Sequence, residues 1–122
     1  MTEFGGCPQC DRRMRIEVMQ CWHCGTRVTG RMSLPPLARL PRQHAEFVEQ
    51  FLLANGSLSA LQKVLDCSYP KVRRLLNETM AHLRAEVEAE IEEREQILQA
   101  LEDNRIEGQE AVRLLRGLAG GA

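Results

Sequence analysis

The 122-residue chain is poor in aromatic side chains, with one Trp, one Tyr and three Phe, and neither sign of charge prevails: 16 Lys and Arg stand against 17 Asp and Glu. No apolar run approaches the ~18 residues of a membrane span. No cationic stretch leading into an apolar one opens the sequence at Met1–Gly6. A phosphate-cradling glycine loop and a nucleophile set beside a base are also missing. These absences exclude a large enzyme core, which so short a chain would bury poorly. They point to a soluble, cytoplasmic protein with no enzymatic activity and no membrane partner. Taken alone, the near-zero net charge counts against nucleic acid as a partner.

What is present is unevenly placed. Residues 1–82 carry 11 Lys and Arg against 7 Asp and Glu, whereas residues 83–122 carry 5 against 10. A basic amino-terminal two thirds is tied to an acidic tail, and the whole-chain figure conceals both.

The five cysteines are equally uneven. Cys7-Pro8-Gln9-Cys10 and Cys21-Trp22-His23-Cys24 are matched pairs with ten residues between them. In a reducing compartment such pairs hold metal more often than they form disulfides. Each is expected to fold as a tight knuckle aiming two thiolates at one point, with a short hairpin bringing the knuckles together. Four thiolates at ~2.3 Å satisfy a tetrahedral zinc ion and leave no position for a substrate water. The expected cofactor is therefore one structural Zn per chain, needed because a module of some thirty residues has little core of its own. Iron is the rival ion for such a donor set. His23 reads as a surface residue. Cys67, alone among apolar neighbours, reads as a small core residue rather than a nucleophile.

The fold class expected is mainly α with a small β zinc ribbon. Residues 1–30 form the ribbon, with β-prone stretches at 14–18 and 27–29. Residues 31–41, RMSLPPLARLP, form an extended connector in which Pro35, Pro36 and Pro41 oppose helix. Residues 42–82 then show helical period. A first helix carries Ala45, Val48, Phe51 and Leu52 and stops at Asn55-Gly56. Ser57 caps a short second helix with Leu58, Leu61, Val64 and Leu65, and Ser68 caps a third with Val72, Leu75, Leu76 and Met80.

Leu58 to Asn77 fits a helix-turn-helix template, with Asp66 at the turn position normally held by glycine and Gln62 where a small residue is commonest. The solvent side of the third helix would enter the major groove of double-stranded DNA. Its candidate contacts are Ser68, Tyr69, Lys71, Arg73, Arg74 and Asn77, a set that serves equally for guanine edges or for phosphates. A plain three-helix bundle with a solvated arginine face is the other reading.

The third helix has no stop, since neither Gly nor Pro occurs from Glu78 to Leu101. A long carboxy-terminal helix with a helical hairpin is therefore expected, and residues 83–122 form its acidic tail. Apolar residues recur at Leu83, Val87, Ile91, Ile97, Leu98 and Leu101, with eleven-residue steps that favour straight packing over a strict heptad coil. Asp103-Asn104-Arg105 breaks the pattern, and a last helix spans 108–118 before a Gly-Gly tail. An isolated helix cannot bury such a seam. The last helix is expected to cover part and a second chain the rest, giving a homo-oligomer, a dimer first. A two-fold dimer would set its reading helices about one DNA turn apart.

CPQC, CWHCGTRVTGR, LPPLARLPRQHAEFVEQFLLANGSL and LDCSYPKVRRLLNE together resemble the uncharacterised prokaryotic family called domain of unknown function 2089, over about residues 5–82. The resemblance implies a zinc ribbon joined to a helix-turn-helix in a small bacterial regulator-like protein, and it brings no catalytic residues. The tail ILQALEDNRIEGQEAVRLL is similar to short helical-hairpin modules in which Ser or Thr often precedes the last helix. Glu107 stands there in this chain, and Glu110 is left for a first-turn contact. Two functions follow. One is a DNA-binding transcription regulator acting as an oligomer. The other is an adaptor that docks on transcription machinery or another protein without reading DNA.

Overall fold

In the computed structural model, which describes residues 6–118, a two-stranded ribbon leads into four helices. The strands β1 (Arg15–Gln20) and β2 (Arg27–Ser33) pair antiparallel, Met19 opposite Val28 and Ile16 opposite Met32, with a bulge between Ile16 and Val18. Both strands outrun the β-prone stretches, β2 reaching into the expected connector. The rest of that connector is not wholly extended: Pro36–Arg39 makes one 3-10 turn. A proline at the first position of such a turn loses no hydrogen bond, since its missing N–H would be unsatisfied there anyway.

Helix α1 (Arg42–Leu53) starts after Pro41 and ends where Asn55 and Gly56 take positive φ. Helix α2 (Leu58–Leu65) is capped by Ser57, whose Oγ accepts the Ala60 N–H at 3.1 Å. Asp66 closes it at φ 51°, ψ 51°, a left-handed turn that Asp tolerates better than most residues. Ser68 caps α3 (Tyr69–Glu102), with Pro70 in its first turn.

Helix α3 is a single rod of 34 residues, about 51 Å at 1.5 Å per residue. The third helix runs on without a stop as the sequence leads one to expect, and the division placed at residue 82 falls inside it. Nothing in that stretch can stop it, because neither Gly nor Pro occurs between Lys71 and Arg105. Asp103–Ile106 turns the chain and α4 (Gly108–Leu118) folds back, burying Ala111. Glu110, in the first turn of α4, pairs with Arg113. The Gly-Gly tail lies outside the described residues.

The core sits among α1, α2 and the first turns of α3. Leu61 and Val72 are wholly buried beside Phe47, with Phe51, Leu58, Cys67, Leu75 and Leu76 packed around them. Side chains of this size contribute roughly 1.5–3 kcal/mol each when fully buried. One polar contact crosses this bundle: His44 Nδ1 lies 2.8 Å from Thr79 Oγ1, both buried, with the His82 ring 4.4 Å from that of His44.

Candidate metal knuckles and nucleic-acid face

The two cysteine pairs are built alike. The Cys7 N–H donates to the Arg12 carbonyl at 2.8 Å and the Asp11 N–H to the Cys7 carbonyl at 2.9 Å; Cys21 with Thr26, and Gly25 with Cys21, repeat both bonds at 2.8 and 2.9 Å. The fifth residue of each loop is left-handed, Asp11 at φ 62° and Gly25 at φ 77°. Glycine adopts that conformation freely, and Asp more readily than most residues.

Within each loop, donors point at sulfur. The backbone N–H groups of Cys10 and Gln9, the latter 3.4 Å from Cys7 Sγ, and the Cys10 thiol hold the Cys7 thiol below its ordinary pKa. The Thr26 hydroxyl, 2.9 Å from Cys24 Sγ, lowers Cys24 in the same sense, aided by the Thr26 backbone and the Cys21 thiol. Hydrogen bonds to the charged form favour thiolate, the form that binds metal.

The knuckles nevertheless stand apart. Among the described residues no three Cys, His, Asp or Glu side chains converge on a metal-sized point. The ten residues between the pairs are Asp11–Gln20. Six of those residues are extended as β1, about 20 Å of strand, and they carry the second knuckle outward. Chemically the donor set fits a thiophilic ion. Geometrically each half is preformed, and a four-thiolate site requires the halves to close.

The second knuckle projects from the body, every residue from Glu17 to Arg31 being exposed. Trp22 at its tip is 94% exposed, with the His23 ring edge-on at 5.7 Å. The first knuckle is anchored. Arg13 Nε donates to Glu93 at 3.1 Å and its guanidinium makes a second bond to the same carboxylate, while Glu90 lies 3.9 Å away. From the 3-10 turn, Arg39 bonds the Leu34 carbonyl, Glu86 at 2.9 Å and Glu90 at 3.4 Å. Glu90 bridges the two arginines. Sequence reasoning missed this network, although acidic residues at 86, 90 and 93 recur at helical spacing and mark one face of α3.

The six candidate DNA contacts lie together on the amino-terminal turns of α3, all exposed. Val72 fixes the inward direction; at 3.6 residues per turn, Arg73, Arg74 and Asn77 fall on the outward half. Lys71, Arg73 and Arg74 pair with no carboxylate among the described residues. The Ser68 hydroxyl is engaged in the cap, accepting the Lys71 N–H at 3.4 Å.

The tail seam is divided. Leu83, Ile97 and Leu101 are half-buried, Ile97 lining a cavity of about 280 Å³ with Leu114 of α4. Val87, Ile91 and Leu98 remain 40%, 52% and 44% exposed. No helix among the described residues is long and apolar enough to cross a membrane.

Comparison with family models matches residues 7–38 to the DUF2089 zinc ribbon and residues 40–86 to the domain of unknown function (DUF2089)-HTH. The two matches together span about two thirds of the chain. No curated protein and no solved structure matches.

Proposed function

The chain belongs to the DUF2089 family, a zinc ribbon followed by a helix-turn-helix, and on that premise we propose that it is a DNA-binding transcription regulator acting as a dimer or higher oligomer. One observation carries the proposal. Two helices joined through a left-handed Asp66 present Lys71, Arg73, Arg74 and Asn77 on the outward half of the second helix, exposed and with the basic groups unpaired among the described residues, with Tyr69 exposed in its first turn. That is the arrangement in which a reading helix lies in the major groove with its amino-terminal residues nearest the bases.

In this reading Cys7, Cys10, Cys21 and Cys24 hold one Zn per chain. The ion supplies no reaction; it ties a ribbon that lacks a core of its own. Purified without added metal, the protein should contain one zinc per chain. Metal-free protein with four freely reactive thiols and an unchanged fold would refute that assignment.

Fluorescence anisotropy with duplex DNA at 50 and 200 mM salt tests the DNA reading. Arg73→Ala and Arg74→Ala should each weaken binding, and each lost phosphate contact should flatten the plot of log K against log salt by about 0.9. Binding unchanged at low salt would sink the reading. The exposed Trp22, with Met19 and Val28 uncovered beside it, favours the second reading, a ribbon that docks another protein. There Trp22→Ala abolishes the interaction and the arginine substitutions leave it intact.

A further inference from the structure

We propose that the second knuckle binds a single-stranded nucleic acid, stacking an unpaired base on Trp22 while Arg27 neutralises an adjoining phosphate. Trp22, the one tryptophan of the chain, is 94% exposed at the tip of the ribbon, so the faces of its indole are open to a ligand. The charge around it has one sign. No Asp or Glu occurs from residue 18 to residue 45, whereas Arg27 and Arg31 fall in that span, exposed and with no ion-pair partner among the described residues. Glu17, the next acidic residue before that span, is engaged by Arg15 at 3.6 Å. An open aromatic face beside unopposed cations matches the two things a nucleic-acid strand offers, base faces and phosphates.

Strand register decides which face of the ribbon the strand follows. Directly opposed residues of an antiparallel pair share a face, and neighbours along a strand alternate. Gln20 opposes Arg27 and Val18 opposes Thr29, next to the loop that carries Trp22, whereas Met19 opposes Val28 on the other face. The bulge between Ile16 and Val18 sets two residues of β2, Gly30 and Arg31, against Glu17 and so turns Arg31 to the Met19 side. One face is thus polar and cationic beside the tip, with the Gln20 amide across from Arg27, and the other is apolar. The nucleic acid follows the Gln20–Arg27 face, and the Met19–Val28 face is the one left to a protein partner. The strand must be single, because in a duplex each base face is covered by its neighbours and an indole can stack only on a base that is free. DNA and RNA share these phosphates and base faces. No residue of α3 takes part, so the site does not depend on the duplex reading above.

As the one tryptophan, Trp22 reports on its own site. Intrinsic fluorescence of the full chain, titrated at low salt with oligo(dT) and with oligo(rU), should be quenched as a base stacks on the indole, and the oligonucleotide that quenches identifies the sugar the site accepts. By anisotropy of the labelled oligonucleotide, Trp22→Ala should weaken binding about tenfold with unchanged circular dichroism, and Trp22→Phe should recover most of the loss. Arg27→Ala should flatten the plot of log K against log salt by about 0.7, the value for one phosphate of a single strand. Arg31→Ala, on the opposite face, should leave that slope unchanged. The Arg73→Ala/Arg74→Ala double variant should keep both quenching and affinity, which separates this site from the reading helix. Absence of quenching by either oligonucleotide would overturn the proposal and return the tip to protein docking. Affinity unaffected by Trp22→Ala, binding lost in the double variant, or a slope changed as much by Arg31→Ala as by Arg27→Ala would overturn it too.

Discussion

Arg39 offers the sharpest test of how the modules are joined. Its side chain is 3% exposed and spans three acceptors: the Leu34 carbonyl, Glu86 and Glu90. Removing one partner of a buried ion pair costs roughly 3–5 kcal/mol, because the charges left behind are uncompensated. Here the carboxylates keep 29% and 21% of their surface and can rehydrate, and Glu90 retains Arg13 at 3.9 Å. Arg39→Met, which keeps most of the apolar stem, should therefore lower stability by about 2–3 kcal/mol, at the low end of that range. For a chain this size the shift in Tm is about 10 °C, at roughly 4 °C per kcal/mol. Arg39→Lys keeps the charge but loses the planar fork and should fall between parent and Met variant. In urea melts the Arg39→Met/Glu86→Gln cycle should show a coupling of about 1 kcal/mol. The loss should persist at 1 M salt, because sheltered pairs are screened less than exposed ones. A Met variant within about 0.5 kcal/mol of parent, the size usual for surface substitutions, would show instead that Arg39 makes an ordinary surface contact.

Three further outcomes follow from single sites. Leu61→Ala, at a fully buried position, should cost about 2–5 kcal/mol by denaturant titration; a smaller loss would mean that α1 and α3 collapse onto the gap. Asp66→Gly relieves a left-handed residue at φ 51° and should raise the urea midpoint by the equivalent of about 0.5–1 kcal/mol, whereas a fall would show that the aspartate side chain itself holds the turn. Thr79→Val leaves the His44 ring nitrogen without its 2.8 Å partner. It should destabilise the chain by about 1–3 kcal/mol, and a neutral result would mean that water enters to replace the hydroxyl.

The elements legible in the sequence were those specified locally. Ser57, Asp66, Ser68 and the Asp103–Arg105 break each act through their own backbone or the next turn, and each stands where the sequence places it. The family match was readable for the same reason, since CPQC, CWHC and LDCSYPKVRRLLN are contiguous motifs. Contacts distant in sequence were not legible. Arg13 meets Glu93 and Arg39 meets Glu86 across 80 and 47 positions, and nothing local distinguishes these glutamates from their solvated neighbours. Spacing says less about how the knuckles meet, because it limits only reach. Ten residues permit a closed hairpin, and they equally permit the extended β1 that forms.

The long helix gives each module its own arc, and this changes what the acidic tail is for. Its amino-terminal turns supply Arg73, Arg74 and Asn77 to the outward face of the helix-turn-helix. One face of its middle, Glu86, Glu90 and Glu93, engages Arg13 of the ribbon and Arg39 of the connector. A flank beside it leaves Val87, Ile91 and Leu98 largely exposed. Opposite charges in the two parts of the chain therefore cancel partly by contact within one molecule, not merely by arithmetic. The glutamates engaged in this way are not available to repel DNA. The arginines that stay unpaired near the start of α3 keep a local positive field, despite a net charge of −1 for the whole chain, and it is the local field, not the total, that a polyanion meets.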